Sequence, residues 1–228
     1  MTANNPQKPF YQTRVFIFNV VKRTIDISFS LVAIFLLSPL LLVISIIIKL
    51  TSEGPVFLRQ RRVGNNGEFV MYKFRSMYNG TKYKNDMDAF LRDNYPELWK
   101  QYIRDDWKLP IKIDPRITPI GRFIRVTSID EMAQFINVLK GEMSLVGPRA
   151  YRKEELEQYE KKYPQTQENI KIIRTAKPGI TGLWQTSGRN DMNFEQRAAL
   201  DANYIKNRSL RQELTIILKT PFSMLSRW

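Results

Sequence analysis

From Ile27 to Ile48 the chain runs for 22 residues without a charged side chain. As a straight helix the run would reach roughly 33 Å at about 1.5 Å per residue, enough to cross the hydrocarbon core of a bilayer. It is not a signal peptide. It is too long, and Lys49-Leu50-Thr51-Ser52-Glu53 follows where a small-residue cleavage site would stand. Ser38-Pro39 sits in its middle. Proline removes an amide donor and clashes with the preceding turn, so it kinks or breaks a helix, and the Ser38 hydroxyl can satisfy a freed carbonyl. Lys22 and Arg23 precede the run; Lys49, Arg59, Arg61 and Arg62 follow it. A single-pass helix carries one basic end, whereas two basic ends fit a run whose ends both lie on the cytoplasmic side. The residues leave two readings: a re-entrant helix-break-helix hairpin with its break at Ser38 and Pro39, or an ordinary kinked span.

Other stretches suit a membrane surface. Phe10, Tyr11, Phe16 and Phe18, with Arg14, lead into the run. Near the C-terminus Leu214, Ile217, Leu218, Phe222, Leu225 and Trp228 recur at helical spacing, with Arg211, Lys219 and Arg227 between them. An apolar face with basic flanks and aromatic ends fits the headgroup level. A core-facing helix is the equal alternative for the C-terminal stretch.

The chain contains no histidine and no cysteine. A Ser-His-Asp triad, a Cys-His dyad, a His or Cys zinc site and a disulfide framework are excluded. Any metal must be a hard cation held by oxygen, magnesium first. The 228 residues suffice for one sizeable core, and the formal charge of +14 favours a phosphate-rich partner: nucleic acid, an anionic membrane surface or a nucleotide.

Past the apolar run, Val56-Phe57-Leu58 and Phe69 to Arg75 read as extended pieces around an Asn66-Gly67 hairpin turn. Alternation places Lys73 and Arg75 on one face with Met71, and Tyr72 and Phe74 on the other. Residues 81–108 are charged, aromatic and loosely helical, a surface helix or a lid. Residues 151–174 read as one highly charged helix, and Lys177 to Gly182 as a loop. Glycines in the following Gly182–Asp191 segment let backbone approach a ligand.

Ser128-Ile129-Asp130-Glu131 is the segment with chemistry in it. Its structural reading is a capping box, with Ser128 capping a helix, Glu131 reaching back and Asp130 adding charge to the first turn. Its functional reading uses the same geometry. A carboxylate at a helix N-terminus is kept ionised, and phosphate binds there too. Asp130 could attack phosphorus, Glu131 could hold magnesium, and arginines from glycine- or proline-containing loops (Arg125, Arg149, Arg189) could meet the developing charge.

Several segments, in order, carry a resemblance. They are the Ser-Pro-interrupted run, Pro55-Val56-Phe57 with Arg59-Gln60, Tyr72 to Met77, Thr127 to Glu131, Asn137 to Arg149, and Lys177 to Gly182. Over residues 20–225 the chain resembles the bacterial sugar transferases, the monotopic polyprenyl-phosphate phosphoglycosyl transferases. The resemblance implies transfer of a sugar-1-phosphate from a UDP-sugar to undecaprenyl phosphate with release of UMP, the first membrane step of polysaccharide assembly. It implies Asp130 as nucleophile, Glu131 as the magnesium-associated carboxylate, and Lys73, Arg125, Arg149 and Arg189 as basic groups near the phosphates. Arg75, Arg116, Pro148 and Gln185 join them as candidate substrate-side residues. It implies that Ser38-Pro39 makes the re-entrant hairpin.

Ala150 follows Arg149 where the family often has proline. Residues 78–114 form a longer insert than the smallest members carry, similar to members that transfer galactose- or glucose-1-phosphate. The extra N-terminal spanning helices of large members have no counterpart, so the resemblance implies a catalytic unit with one membrane hairpin.

The expected fold is helix-rich α+β: a monotopic protein with the re-entrant hairpin, a small β-hairpin and surface amphipathic helices. Residues 1–50 form the membrane segment and 51–228 a catalytic domain on the cytoplasmic face of a bacterial inner membrane. Expected partners are the UDP-sugar, undecaprenyl phosphate, membrane lipids, a second copy in a homodimer and downstream glycosyltransferases, with Mg2+ as cofactor and no nucleic acid. The rival function is a non-catalytic, membrane-anchored regulator of glycan assembly.

Overall fold

A computed structural model describes residues 7–78, 86–105, 109–187 and 192–225. The protein is helix-rich α+β, with one long apolar N-terminal helix and a small β-hairpin. That helix, α1, runs Gln7–Thr51, and its stretch from Thr13 is long and apolar enough to cross a membrane. Much of its apolar surface is bare: Phe35 is 76% exposed, Leu36 68% and Leu50 80%. Pro39 lies inside α1, which stays helical on both sides of it. The helix is continuous through Ser38-Pro39, and Pro39 is the one residue of the uncharged run that lacks an amide donor. A proline costs the ladder one donor, while the neighbouring amides have no better partners than the helix itself.

The described residues fall into two compact units. One takes 7–35, 61–71 and 134–225; the other takes 36–60 and 72–133. In the second unit α1 ends on a clamp supplied by strand β2 (Gly67–Phe74), the partner of β1 (Phe57–Gly64) in the hairpin. Asn65 and Asn66 make the turn, and Gly67 carries the positive φ of 103° that follows it. Just beyond β2, buried Arg75 donates to the carbonyls of Glu53 (2.6 Å), Ser52 (2.7 Å) and Ile48 (3.3 Å) and to Ser52 Oγ (2.9 Å). These are the orphan carbonyls of a helix C-terminus, where a cation is favoured. Tyr72 and Phe74 share the opposite face and pack with Ile44, Ile48, Ile124 and Ala133, as the strand alternation requires.

Residues 81–108, expected to be loosely helical, contain α2 (Met87–Asn94) and α3 (Pro96–Arg104), with Leu91 and Tyr102 buried. Helix α4 (Pro119–Val126) starts on a Thr118 cap whose hydroxyl accepts from Gly121 N at 2.9 Å. A Cβ on Gly121 would stand 1.9 Å from the Ser76 carbonyl oxygen, so only glycine lets α4 lie against that chain.

In the first unit, a 3-10 turn (Ile129–Gln134) that starts in the other unit leads into α5 (Phe135–Lys140). Strands β3 (Ser144–Val146) and β4 (Gly179–Thr181) pair in parallel, so the expected loop at 177–182 is in part a strand. Three glycines are brought together here. A Cβ on Gly147 would be 2.4 Å from Lys177 O, on Gly179 2.1 Å from Gly147 N, and on Gly182 2.3 Å from Gly147 O. The backbone these glycines admit is one another's, not a ligand's.

The charged stretch 151–174 is two helices, α6 (Lys153–Lys162) and α7 (Gln167–Ile173), because Pro164 opens a 3-10 turn between them. Tyr151, Leu156, Tyr159, Ile170, Ile173, Phe194 and Ala198 form the core, the last two from α9 (Phe194–Asn207). The short α8 (Leu183–Ser187) buries Trp184. On α10 (Leu210–Leu225) Glu213 and Ile216 are buried, whereas Leu214, Leu218 and Phe222 are 50%, 70% and 75% exposed. The C-terminal apolar stripe thus faces outward, and the core-facing reading of it fails. Within this unit α1 is fixed by polar groups just before its uncharged run. Lys22 pairs with Glu213 and donates to Val146 O (3.0 Å), and Arg23 donates to Val138 O (2.6 Å) and Leu139 O (2.8 Å). Asp26 accepts from Ser144 Oγ (2.8 Å) and Leu145 N (3.0 Å).

Replacing Arg75 with methionine keeps bulk but leaves those buried carbonyls without a donor. Stability should fall by about 3 kcal/mol, the scale of orphaned buried polar groups. Thermal unfolding in detergent measures this. Arg75→Lys should recover only part of the loss, since one ammonium cannot serve every acceptor.

Candidate active site

The Asp-Glu segment begins with a backbone irregularity. Among described non-glycine residues only Ser128 has positive φ, at 56°. An N-cap needs extended backbone, so the expected capping box is not formed. Instead Ser128 is buried, donates its N–H to Arg125 O (3.1 Å) and accepts from Glu131 N at its carbonyl (3.1 Å). This tight left-handed turn joins α4 directly to the 3-10 turn that carries Asp130 and Glu131.

The two carboxylates have different surroundings. Glu131 is half-buried and accepts from Lys73 Nζ at 2.6 Å, so the Lys73 that strand alternation set apart from Phe74 reaches the acidic pair. Asp130 is buried. Burial pushes its pKa up to about 6; Lys73 and Arg125 oppose this, and the Glu131 charge adds to it. Desolvation outweighs the favourable charges, so the carboxylate titrates higher than its place at the start of a helical turn alone implies. At neutral pH the carboxylate is still mostly ionised, but it is more basic than an ordinary aspartate, which suits a nucleophile.

Arg125 is half-buried, and its guanidinium donates from Nε to Ser76 Oγ at 2.7 Å. Among the described residues this is its one hydrogen bond, which leaves both terminal nitrogens available to an anion. Burial lowers its pKa, while Asp130 and Asp114 act in the other direction. Ser76 is itself held, its carbonyl accepting from Thr118 N at 3.1 Å.

Two candidates prove to be committed elsewhere. Arg75 is the clamp on α1. Arg116 is buried and forks onto Asp114 (Nε–Oδ1 2.9 Å, Nη2–Oδ2 2.8 Å), reaches Asp88 on α2 (2.7 Å) and lies over the Tyr102 ring at 4.5 Å. A guanidinium saturated in this way braces the insert and is a poor substrate ligand.

No group of three or more acidic side chains that could cage a metal occurs among the described residues. Magnesium does not require one. It binds through one or two carboxylates, with waters and substrate phosphates completing six oxygens. The adjacent Asp130 and Glu131 fit that pattern, with Glu131 the more accessible.

Pro148, Arg149 and Gln185 belong to the first unit. The Pro148 carbonyl accepts from Gly179 N (2.9 Å), a backbone role. Arg149 is about one-third exposed; its guanidinium lies 5.6 Å from the Trp184 ring and 5.9 Å from Tyr151, with Glu155 3.9 Å from Nε. The Gln185 amide oxygen is buried beside Gly182. Arg189 lies outside the described residues. Beneath Arg149 is a residue that sequence reasoning passed over, Asp201, fully buried and accepting from Arg149 N at 3.1 Å. The signal was present in α9. Arg197 and Asp201 fall on the same helical stripe as Phe194, Ala198 and Ala202, charges where only apolar groups belong.

The chain matches the family described as bacterial sugar transferase over residues 17–227. It belongs to that family. The undecaprenyl-phosphate galactose phosphotransferase of Salmonella typhimurium is 41% identical over 209 residues, 91% of this chain and 41% of that protein. The exopolysaccharide production protein ExoY of Rhizobium meliloti is 39% identical over 212 residues, 91% of this chain and 87% of ExoY. The UDP-glucose:undecaprenyl-phosphate glucose-1-phosphate transferase of Escherichia coli K12 is 36% identical over 224 residues, 95% of this chain and 43% of that protein. The chain thus spans less than half the length of two of these relatives.

In this sugar transferase, burial pushes Asp201 up to about 7 against the pull of the Arg149 N–H and the Arg149 and Arg197 charges. An unfolded aspartate titrates near 3.9. Between those values the folded chain holds a proton that the unfolded chain has released. Stability therefore falls as pH rises from about 4 to about 7, then levels. Asp201→Asn cannot ionise and keeps an acceptor for Arg149 N. Its melting temperature should fall less than that of wild type between about pH 5 and about pH 8, leaving the smaller decline due to Asp130. An unchanged slope would assign the proton elsewhere.

Proposed function

We propose that this sugar transferase moves a hexose-1-phosphate, galactose or glucose favoured, from a UDP-sugar to undecaprenyl phosphate at the cytoplasmic face of a bacterial inner membrane. The carrying observation is Asp130: a buried carboxylate of raised basicity with Lys73, Glu131 and Arg125 disposed around it. The names of the relatives, which specify galactose and glucose phosphotransferases acting on undecaprenyl phosphate, support the donor and acceptor.

The reaction divides into two displacements. An Asp130 oxygen attacks the sugar-bearing phosphorus of the UDP-sugar. The new O–P bond forms as the bond to the bridging diphosphate oxygen breaks, and UMP leaves with that oxygen. A phosphate oxygen of undecaprenyl phosphate then attacks the same phosphorus, breaking the acyl-phosphate bond. Sugar-diphospho-undecaprenol departs and Asp130 is regenerated. Glu131 would hold magnesium, which would supply neutralising charge to the diphosphate. Lys73, once substrate phosphate competes for it, and the terminal nitrogens of Arg125 stabilise charge on the transferring phosphoryl group. The turn at Ser128 and the bond from Arg125 to Ser76 keep these groups in place before substrate arrives.

The membrane part of the proposal is the re-entrant course. Residues 1–50 enter and leave one leaflet, and 51–228 work at its surface. The basic residues on both flanks of the uncharged run and the outward stripe Leu214–Leu218–Phe222 on α10 support it. Assembly as a homodimer and hand-off to downstream glycosyltransferases complete the proposed setting.

Two measurements test this reading. Purified protein with Mg2+, undecaprenyl phosphate and a panel of UDP-sugars should release UMP with one hexose donor. Without the lipid, wild type should retain labelled sugar-phosphate in a hydroxylamine-labile bond. Asp130→Asn should lose turnover by at least about 10^3-fold, the scale of removing a nucleophile, and retain no label. Folded protein that releases no UMP with any donor would favour the membrane-anchored binding protein instead. For topology, the cysteine-free chain makes single-cysteine probes clean. Thr13→Cys and Thr51→Cys should both react only from the cytoplasmic side. Labelling from opposite sides would establish a span.

A further inference from the structure

The first unit contains two cations facing one small opening. Gly141 ends α5 in the left-handed conformation, at φ 80°. A Cβ placed on it would lie 3.6 Å from Arg23 Nη2 and 3.6 Å from Lys177 Nζ. A side chain there would touch a guanidinium and an ammonium at once, and its absence leaves a gap that both border. Arg23 spends its donors on neutral groups, the Val138 and Leu139 carbonyls, so its charge has no ionic partner there. Lys177 makes no hydrogen bond or ion pair among the described residues. The nearby carboxylates are already engaged: Asp26 with Ser144 Oγ and Leu145 N, Glu213 with Lys22 and Tyr204.

Burial pulls the Lys177 pKa down, Arg23 and Lys22 add to the fall, and Asp26 only partly offsets it. The charge balance at the gap is positive, and a partly desolvated ammonium beside a guanidinium is held more easily when an anion joins them. Where the gap falls along the chain decides which anion. Arg23 is one helical turn before Ile27, where the uncharged run begins, and Phe29, Leu31 and Val32 beyond it are exposed. A cation pair one turn outside an apolar, exposed helix stands at the depth of lipid phosphates.

We propose that Arg23, Lys177 and the open Cα of Gly141 form a binding site for the phosphate of an anionic membrane lipid. The site uses none of the residues assigned to the Asp130–Glu131 pair and rests on the reading that α1 enters the bilayer from Ile27. It gives the +14 chain a discrete lipid contact in place of a diffuse attraction. Lys177 is the residue to change, because Arg23 also satisfies the end of α5 and its loss would disturb folding.

The test uses the full chain. Flotation with phosphatidylcholine vesicles first checks the membrane reading; a wild type that does not float removes that reading and this site with it. Thermal unfolding in neutral detergent is then followed against added phosphatidylglycerol, phosphatidylcholine or inorganic phosphate. Phosphatidylglycerol should raise the wild-type melting temperature where the other two do not. Lys177→Gln should bind phosphatidylglycerol about fivefold more weakly, the scale of one basic residue at an anionic surface, and Lys177→Arg should restore it. A Lys177→Gln protein that floats, folds and responds to phosphatidylglycerol as wild type does would overturn the site. A response to inorganic phosphate equal to that to phosphatidylglycerol would overturn the lipid assignment.

Discussion

Four consecutive residues at the end of β2 organise the unit that holds the Asp-Glu pair. Lys73 reaches Glu131, and Phe74 fills the core between α1 and α4. Arg75 closes the carbonyl end of α1, and Ser76 holds Arg125 through its hydroxyl and Thr118 through its carbonyl. The end of the apolar helix, the Asp130–Glu131 segment and Arg125 are therefore all held by one short stretch of backbone. Strand alternation makes this possible, since successive residues point to opposite faces and one strand can serve acidic and apolar neighbours together. A shift of one residue in β2 would exchange Lys73 for Phe74 and disable both the core and the site.

The electrostatics of that unit set a carboxylate raised by burial, Asp130, beside one that is ion-paired with Lys73, Glu131. Both carboxylates sit on one short 3-10 turn, so sequence neighbours have been given different chemistries by depth alone. The buried one is left basic and without a close ion pair; the shallower one is held by Lys73. In a chain without histidine or cysteine this is the available route to a group that titrates near neutrality. The same logic recurs at Asp201, which serves the Arg149 backbone instead of a reaction centre. A raised carboxylate pKa alone therefore does not mark catalysis; what distinguishes Asp130 is the company of Lys73, Glu131 and Arg125.

The sequence made legible what local rules decide. The uncharged run is a helix, Asn65-Asn66-Gly67 is a turn, Tyr72 and Phe74 share a face, and Lys73, Arg125, Asp130 and Glu131 lie in one unit. Where it misled, a long-range partner had outcompeted the local one. Ser128-x-x-Glu131 spells a capping box, but Lys73, 58 residues away in sequence, takes the glutamate and the serine turns left-handed. Arg75 looks like an anion ligand because nothing near it in sequence shows that it will cap α1; for Arg116 the partner was at hand, since it forks onto Asp114 two residues before it, with the distant Asp88 beside. Gly182 looks like part of a ligand cradle because sequence cannot tell a close approach to substrate from the close approach to Gly147 O that it makes, and Gly188, the other glycine of that segment, lies outside the described residues.

The distribution of polar anchors along α1 carries a further consequence for how such a helix can serve an enzyme. Charged groups hold it at both ends of the uncharged stretch: Lys22, Arg23 and Asp26 before it, and Arg75 on the carbonyl of Ile48, its last residue, and on those of Ser52 and Glu53 beyond. Between these ends the sequence is apolar apart from Ser28, Ser30, Ser45 and the Ser38-Pro39 step. A long apolar helix has no intrinsic register in lipid, since sliding by a residue exchanges one hydrocarbon contact for another. Anchors confined to its ends supply that register, because each is a charge that cannot follow the helix inward without losing water and partner together. The depth of the helix is then fixed by the same residues that tie it to folded backbone. One of those ties, Arg75, is a single residue from the serine that holds Arg125, so the register of the apolar segment and the placement of the Arg125 guanidinium are set by adjacent positions in the chain.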